Sequence, residues 1–189
     1  MKTFDKLRFI AEKENGEIGE HYIFNSEYMY LNDLKKNKGS LMSLWIQLRW
    51  VFNKKEITIQ IEKNTYMGIS IDERNKKILL IFDILRSTMW KAPSNAVIYN
   101  ADGSIYRILT PPELLGSIAS KYKKQEILIG KCFGGLYPSW YKNSKGEKVV
   151  GISILFPAGY SNIYGDFFEV REIDLETGEF GEVLQDGAV

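Results

Sequence analysis

The chain has little of the chemistry from which most metal and catalytic centres are built: its 189 residues include one cysteine and one histidine. Cys132 has no second thiol for an intrachain disulfide, which excludes a disulfide-stapled secreted scaffold. Zinc sites need several closely spaced Cys and His ligands, and Cys132 with His21 falls short of that number. We therefore expect neither a metal ion nor a cofactor.

Sequence motifs that carry known chemistry are also missing. The chain contains no GxxxxGK[ST] phosphate loop, no GxGxxG dinucleotide fingerprint and no GxSxG nucleophile elbow. Cys132 and His21 have the residue types of a thiol nucleophile and its base, but a lone cysteine with apolar neighbours is typical of a small buried side chain. We therefore predict no catalytic residue and no enzymatic activity.

Long apolar runs are absent as well. The longest, residues 41–52 and 78–85, are shorter than the ~20 residues needed to span a bilayer as a helix. Residues 1–6 lead into no apolar segment of the kind found in signal peptides. These features predict a cytoplasmic protein that does not enter a membrane.

What the chain does contain is typical of one globular domain. Hydrophobic residues make up 44% and charged residues 26%, and a chain of this length buries enough surface to fold without disulfides or metals. The aromatic fraction of 13% favours strands, where large flat side chains pack well. We predict a single domain over residues 1–189, with a helical N-terminal part (1–55) and a β-rich part (56–189).

The N-terminal quarter shows helical spacing of apolar residues. Residues 4–11 follow this spacing until Asn15-Gly16 ends it, and Ser26 is placed to cap a helix over 27–36. A short strand is expected over 20–24. Residues 40–52 fit a helical stripe and also, from Leu44 onward, a strand of period two; we favour the helix.

From residue 56 the pattern changes to strands. Residues 57–61 and 67–71 alternate apolar with polar, whereas 78–85 is almost continuously apolar and predicts a central strand buried on both faces; we expect these three to form a meander. A helix is expected from a cap at Thr110 to about Lys121. The predicted fold class is α+β and β-rich, mainly antiparallel, as a meander, sandwich or partly open barrel. Further strands are expected at 96–99, 105–109, 126–130, 149–156, 167–175 and 180–184, with a turn of positive φ at Gly103 and a hairpin turn at 176–178.

Charge is divided unevenly along the chain. Residues 1–148 carry 24 Lys and Arg against 16 Asp and Glu, a net +8, whereas residues 149–189 carry one Arg against eight acids, a net −7. Such a split marks either a solvated outer face or an interaction surface for a basic protein. The candidate partner-binding residues are Glu169, Glu172, Asp174, Glu176, Glu179 and Glu182.

The basic residues form a weaker pattern. Lys121, Lys123, Lys124 and Lys131 lie near two aromatic residues, the combination that single-stranded nucleic acid prefers. The cluster is short and the pI of the whole chain is about 7.7, so a solvated helix end explains it better. We do not expect a nucleic-acid partner.

The later part of the chain has strands, turns and acidic residues arranged as in a known group of binding proteins. The stretch from 96–104, with its Asp102-Gly103 turn, through the acidic hairpin at 168–179 resembles small bacterial immunity proteins of polymorphic or contact-dependent toxin systems. The resemblance implies a cytoplasmic protein that binds and neutralises a cognate toxin, which is often basic. A small-molecule or carbohydrate-binding β domain, or a hydrolase without a recognisable motif, is the alternative, with residues 134–141 lining an aromatic pocket.

Overall fold

β-strands form almost all of the regular structure in the computed structural model, which describes residues 5–12, 16–22, 45–62, 66–71, 77–84, 87–122, 130–134, 138–156 and 167–188. The strands of these ranges form three antiparallel sheets. The β-rich, antiparallel character predicted from the sequence is therefore confirmed. No helix within these ranges is long and apolar enough to cross a membrane.

The first sheet is built from the N-terminal quarter, in the order β2-β1-β3-β4. Its strands are β1 (Asp5–Glu12), β2 (Ile18–Tyr22), β3 (Trp45–Phe52) and β4 (Lys55–Gln60). Leu48 and Trp50 of β3 are fully buried, and Leu48 lies opposite Phe9 of β1. Alternate residues of both strands thus enter the core, as the pleat of a strand requires.

The prediction of a helical N-terminal quarter is wrong for the residues that the structure describes. Residues 5–12 form β1, and the helix favoured over 40–52 is replaced, from Trp45 onward, by the strand that was its alternative. The apolar residues of both segments fit the helical period of about 3.6 as well as the strand period of two. Pairing with a neighbouring strand therefore decides between helix and strand. The short strand predicted over 20–24 corresponds to β2, which covers residues 18–22; residues 23 and 24 and the helix predicted over 27–36 lie outside the described residues.

The middle sheet has the order β5-β6-β7-β8. Its strands are β5 (Tyr66–Ile71), β6 (Lys77–Phe82), β7 (Ala96–Asn100) and β8 (Ile105–Leu109). Residues 78–82 of β6 are all buried, which confirms the predicted central strand. The predicted meander is only partly correct: β5 and β6 pair, but residues 57–60 of the run at 57–61 lie in β4, which pairs with β3 in the first sheet.

The third sheet contains the C-terminal strands in the order β10-β11-β12-β13. These are β10 (Ser139–Lys142), β11 (Lys148–Phe156), β12 (Phe167–Asp174) and β13 (Glu179–Ala188), with the short β9 (Cys132–Phe133) beside the second half of β11. The turn predicted at 176–178 joins β12 to β13, and Gly178 there has a φ of +72°. This hairpin is the C-terminal hairpin of the sections below.

The middle sheet contributes to two hydrophobic clusters, one on each face. Alternate residues Ile78 and Leu80 pack with Trp50 of the first sheet, whereas Leu79 and Ile81 pack with residues of the third sheet such as Ile152. This double burial explains why β6 is continuously apolar.

The side chain of Asn95, the fully buried residue that precedes β7, links the middle sheet to the third sheet. Its amide nitrogen donates to the carbonyl oxygens of Phe82 (2.7 Å) and Phe133 (2.8 Å), and its oxygen accepts the Phe133 N–H at 3.0 Å. The amide thereby binds both the N–H and the carbonyl oxygen of buried Phe133. Buried backbone groups without a hydrogen-bond partner would destabilise the fold.

The predicted helix from residue 110 to about 121 is also wrong. Residues 111–115 have no regular secondary structure, and a single 3-10 turn follows at Ala119–Lys121. Backbone N–H groups of Leu115, Gly116 and Ile118 donate to carboxylates of the C-terminal hairpin. We call residues 110–118 the strap, because the segment runs along that hairpin.

Candidate functional site

The C-terminal hairpin carries the predicted acidic surface. Residues 167–188 contain seven acids and a single base, Arg171. Arg171 is buried, and its guanidinium donates to the carbonyl oxygens of Gly181 (2.6 Å) and Glu113 (2.8 Å). The only positive charge of the hairpin is therefore directed into the fold, and its exposed surface is negative.

Glu169, one of the predicted partner-binding residues, is fully buried. Its carboxylate accepts the backbone N–H groups of Leu115 (2.9 Å) and Gly116 (2.6 Å) and lies 3.2 Å from the Arg171 guanidinium. A Cβ at Gly116 would come within 2.8 Å of this carboxylate, so the strap passes closely over it. Glu169 therefore links the strap to β12 and is not accessible to a partner protein.

Asp186, which was not among the predicted residues, has a similar role. It lies opposite Glu169 in the pairing of β12 with β13, so the two carboxylates share one face of the hairpin. Its side chain accepts the Ile118 N–H (2.9 Å) and the Ser117 hydroxyl (2.8 Å). The bond from the Ile118 N–H, with smaller help from Ser117, holds the pKa of Asp186 below its usual value.

Two further predicted acids lie along β12 and β13. The Glu172 carboxylate lies over Gly181, where an added Cβ would come within 2.5 Å of its oxygen. Glu182 accepts hydrogen bonds from Ser144, which lower the pKa of its carboxyl. Both side chains are partly exposed, so each has an intramolecular contact and a solvent-facing side.

The remaining predicted acids, Asp174, Glu176 and Glu179, surround the hairpin turn and are exposed; we call them the acidic turn. Asp174 accepts the Glu176 N–H at 2.8 Å and the Thr177 hydroxyl at 3.0 Å, which shapes the turn. Glu179 accepts from the Arg107 guanidinium of β8 at 2.6 Å. The structure thus brings three of the six predicted residues together at one tip.

Four exposed apolar residues of β8 and the strap were not expected from the sequence. Ile105, Tyr106 and Ile108 of β8 are 48%, 41% and 45% exposed, and Leu115 of the strap is 63% exposed. Arg107, which lies between Tyr106 and Ile108, also donates to the Thr177 carbonyl oxygen at 2.8 Å. The sequence signal was the run Ile105-Tyr106-Arg107-Ile108, whose poor alternation is typical of a strand interrupted by a bulge.

The single cysteine is not a reactive centre. Cys132 is buried within an apolar cluster on the outer face of the third sheet, and burial raises the pKa of its thiol to about 11. Because the thiolate is the nucleophile, this thiol is unreactive near neutral pH. Within the described ranges, no group of three or more His, Cys, Asp or Glu residues is arranged to hold a metal ion.

The predicted basic cluster and aromatic pocket look different in the structure. Lys131 is buried and donates to the Pro112 carbonyl oxygen at 2.8 Å, whereas Lys123 and Lys124 lie outside the described residues. Trp140 packs against the inner cluster of the third sheet and Tyr141 against the outer one, as successive residues of a strand must. These two rings therefore do not line one pocket together.

Comparisons with protein-family models, with curated proteins and with solved structures find no match to this chain.

Proposed function

We propose that this protein is a protein-binding domain that uses the acidic turn and the exposed side of its C-terminal hairpin to bind a basic protein. The observation that supports this best is the charge of the hairpin: its acids reach the surface at Asp174, Glu176 and Glu179, while its one base is buried. An opposite potential raises association rates and disfavours wrong partners.

In its most specific form, the proposal is that the partner is a bacterial toxin domain and that this protein is its immunity protein, acting in the cytoplasm. Toxins that act on nucleic acid need basic surfaces to bind their substrate. An inhibitor that covers such a surface with carboxylates would compete directly with that substrate.

The test is affinity capture from cells that express the protein natively, with two charge-reversal variants of equal net charge. Glu176→Lys with Glu179→Lys alters the acidic turn, and Glu17→Lys with Glu147→Lys is the matched control at exposed sites elsewhere. We expect one basic protein to be captured by the wild type and the control and lost with the acidic-turn variant. Its capture should weaken with increasing salt, because exposed charges are screened.

The immunity function is tested with the same captured protein. Expressing it alone should stop bacterial growth, and co-expressing the wild-type chain should restore growth more effectively than co-expressing the acidic-turn variant. Equal capture by all three chains would reject the acidic surface, and normal growth with the captured protein alone would reject the immunity function.

A further inference from the structure

The outer strand of the middle sheet, β8, combines an open edge with exposed apolar side chains. Within the described ranges β8 pairs only with β7, so one row of its backbone N–H and C=O groups lies along an edge without a partner strand. Ile105, Tyr106 and Ile108 are 48%, 41% and 45% exposed. An edge of this kind is a template on which a strand from another chain pairs.

The backbone groups of Ile105 and Ile108 point to this open edge. The Asn100 N–H donates to the Ser104 carbonyl oxygen at 2.8 Å, so these two residues form a hydrogen-bonded pair and the next pair, Tyr99 with Ile105, is non-hydrogen-bonded. The pair two residues further along β7, which contains Ile108, is of the same kind. In such pairs the N–H and C=O groups point away from the neighbouring strand, here to the open edge.

A register shift in β8 places both isoleucines on one face of the middle sheet. Ile105 lies opposite Tyr99 and Ile108 opposite Val97, and both of these β7 residues pack with the first sheet. Residues directly opposite each other share a face, so Ile105 and Ile108 are on the first-sheet face. Without the shift, residues three positions apart would point to opposite faces.

The two residues between the isoleucines are on the other face. Arg107 lies opposite Ile98, which packs with the third sheet. The Lys77 ammonium lies 3.4 Å from the centre of the Tyr106 ring, and Lys77 is on the third-sheet face because its neighbour Ile78 packs with the first sheet. Tyr106 and Arg107 are therefore both on the third-sheet face.

The faces of residues 105–108 consequently have the same order in either direction along the strand: first-sheet, third-sheet, third-sheet, first-sheet. Two antiparallel copies of β8 match at all four positions when Ile105 lies opposite Ile108 of the second copy and Tyr106 lies opposite Arg107 of the second copy. A register shifted by one residue would place an isoleucine opposite a residue of the other face.

The matched register is also chemically complementary. An apolar side chain lies opposite an apolar one, and the Tyr106 ring lies opposite a guanidinium, a combination that is favourable in cross-strand and cation–π pairs. The two Arg107 side chains do not lie opposite each other, and each guanidinium is bound by Glu179 of its own chain at 2.6 Å.

We propose that the occupant of this edge is a second copy of the chain: two β8 strands pair antiparallel about a two-fold axis and join the two middle sheets into one. The backbone groups of Ile105 and Ile108 then bond to those of Ile108 and Ile105 in the second copy. Four residues of each strand make a small interface, so we expect a weak dimer that forms at micromolar concentrations. This inference does not rest on the proposed function, because the acidic turn contributes no residue to the strand pairing.

The first experiment is sedimentation velocity of the full chain over a range of concentrations. The edge variant is Ile105→Lys with Ile108→Lys, which brings introduced ammonium groups opposite each other across the strands. The matched control is Ile18→Lys with Met89→Lys, which adds the same charge at apolar residues that are 60% and 56% exposed. We expect the wild type and the control to dimerise alike and the Kd of the edge variant to rise at least about tenfold. Thermal unfolding of each variant shows that it is folded.

The second experiment tests the register with the single-cysteine variants Ile105→Cys and Ile108→Cys. Opposite residues of a hydrogen-bonded pair have Cα atoms about 5.5 Å apart, within the reach of a disulfide. Two copies of residue 105 would be about 8 Å or more apart, which is too far. Mild oxidation should therefore cross-link a mixture of the two variants and neither variant alone, and the native Cys132 is buried and does not contribute.

The possible outcomes are distinct. A wild type that stays monomeric at all concentrations would overturn the inference and leave the proposed function standing. A dimer that the edge variant retains would assign self-association to another surface and overturn it as well. Cross-linking of either cysteine variant alone would reject the antiparallel register.

Discussion

The buried carboxylate of Glu169 fastens the strap to the C-terminal hairpin, and its removal should destabilise the protein strongly. Glu169→Ala deletes the acceptor for the Leu115 and Gly116 N–H groups and the counter-ion of Arg171. Arg171 remains buried and keeps its bonds to the Glu113 and Gly181 carbonyl oxygens, but its charge loses its partner. The strap then loses the acceptor of two donors, the N–H of buried Gly116 and the N–H of Leu115, whose side chain is exposed.

The size of the effect follows from these lost contacts. Removing one member of a buried ion pair costs about 3–5 kcal/mol, because an uncompensated charge stays in a region of low dielectric constant. For a chain of this size, 1 kcal/mol corresponds to a change of about 2–4 °C in Tm. We therefore expect Tm to fall by about 6–20 °C.

The assay is urea unfolding followed by tryptophan fluorescence, supported by thermal unfolding. Glu172→Ala is the control, because Glu172 lies three residues further along β12, on its opposite and partly exposed face; we expect a change of about 0.5 kcal/mol or less. The double variant Glu169→Ala with Arg171→Met should recover part of the loss, since it removes the unpaired charge. A Glu169→Ala variant within about 1 kcal/mol of Glu172→Ala would refute the role assigned to Glu169.

Three further predictions test other parts of the fold. The pKa of Asp186 is lowered by its hydrogen bonds, so its contribution to stability is complete above the unfolded pKa of about 3.9 and is lost as the pH falls through the folded pKa. Between pH 6 and pH 3, the unfolding free energy of Asp186→Asn should therefore change less than that of the wild type. The same pH dependence in both proteins would contradict this. Asn95→Ala removes the side-chain bonds to the Phe82 carbonyl and to both backbone groups of Phe133, and it should cost about 3 kcal/mol or more in urea unfolding. A loss below about 1 kcal/mol would argue against the role assigned to Asn95. With a pKa of about 11, the Cys132 thiol should not react with Ellman's reagent in the native protein at pH 8 and should react fully in guanidinium chloride; rapid reaction of the native protein would contradict its burial.

Much of the third sheet and of the middle sheet was predictable from local patterns. The hairpin turn predicted at 176–178 is present, and Gly103 has the positive φ that its turn sequence indicated, because glycine adopts this conformation without steric cost. The continuous apolar run of β6 correctly indicated burial on both faces. These features depend on neighbours in sequence, so no knowledge of the rest of the chain was needed.

The candidate site was only partly predictable. The acidic hairpin is visible in the sequence, where Glu169 and Glu176 are equivalent acids, although Glu169 is buried against the strap and Glu176 is exposed. The exposure of Ile105 and Ile108 was not expected from the sequence, because it depends on which residues of β8 the other sheets cover. Identical residue types therefore have different roles that only their spatial neighbours distinguish.

By itself, the sequence determined the strand-rich character, the main hairpin turns and the concentration of acids in the last forty residues, since these follow from composition and from short-range backbone preferences. Only the tertiary structure decided that residues 45–52 form a strand, because their apolar residues fit both periods until β1 and β4 pair with them. Only the tertiary structure separated the acids that bind the protein's own backbone from those that face solvent. That distinction rests on burial, which is a property of packing between segments distant in the chain.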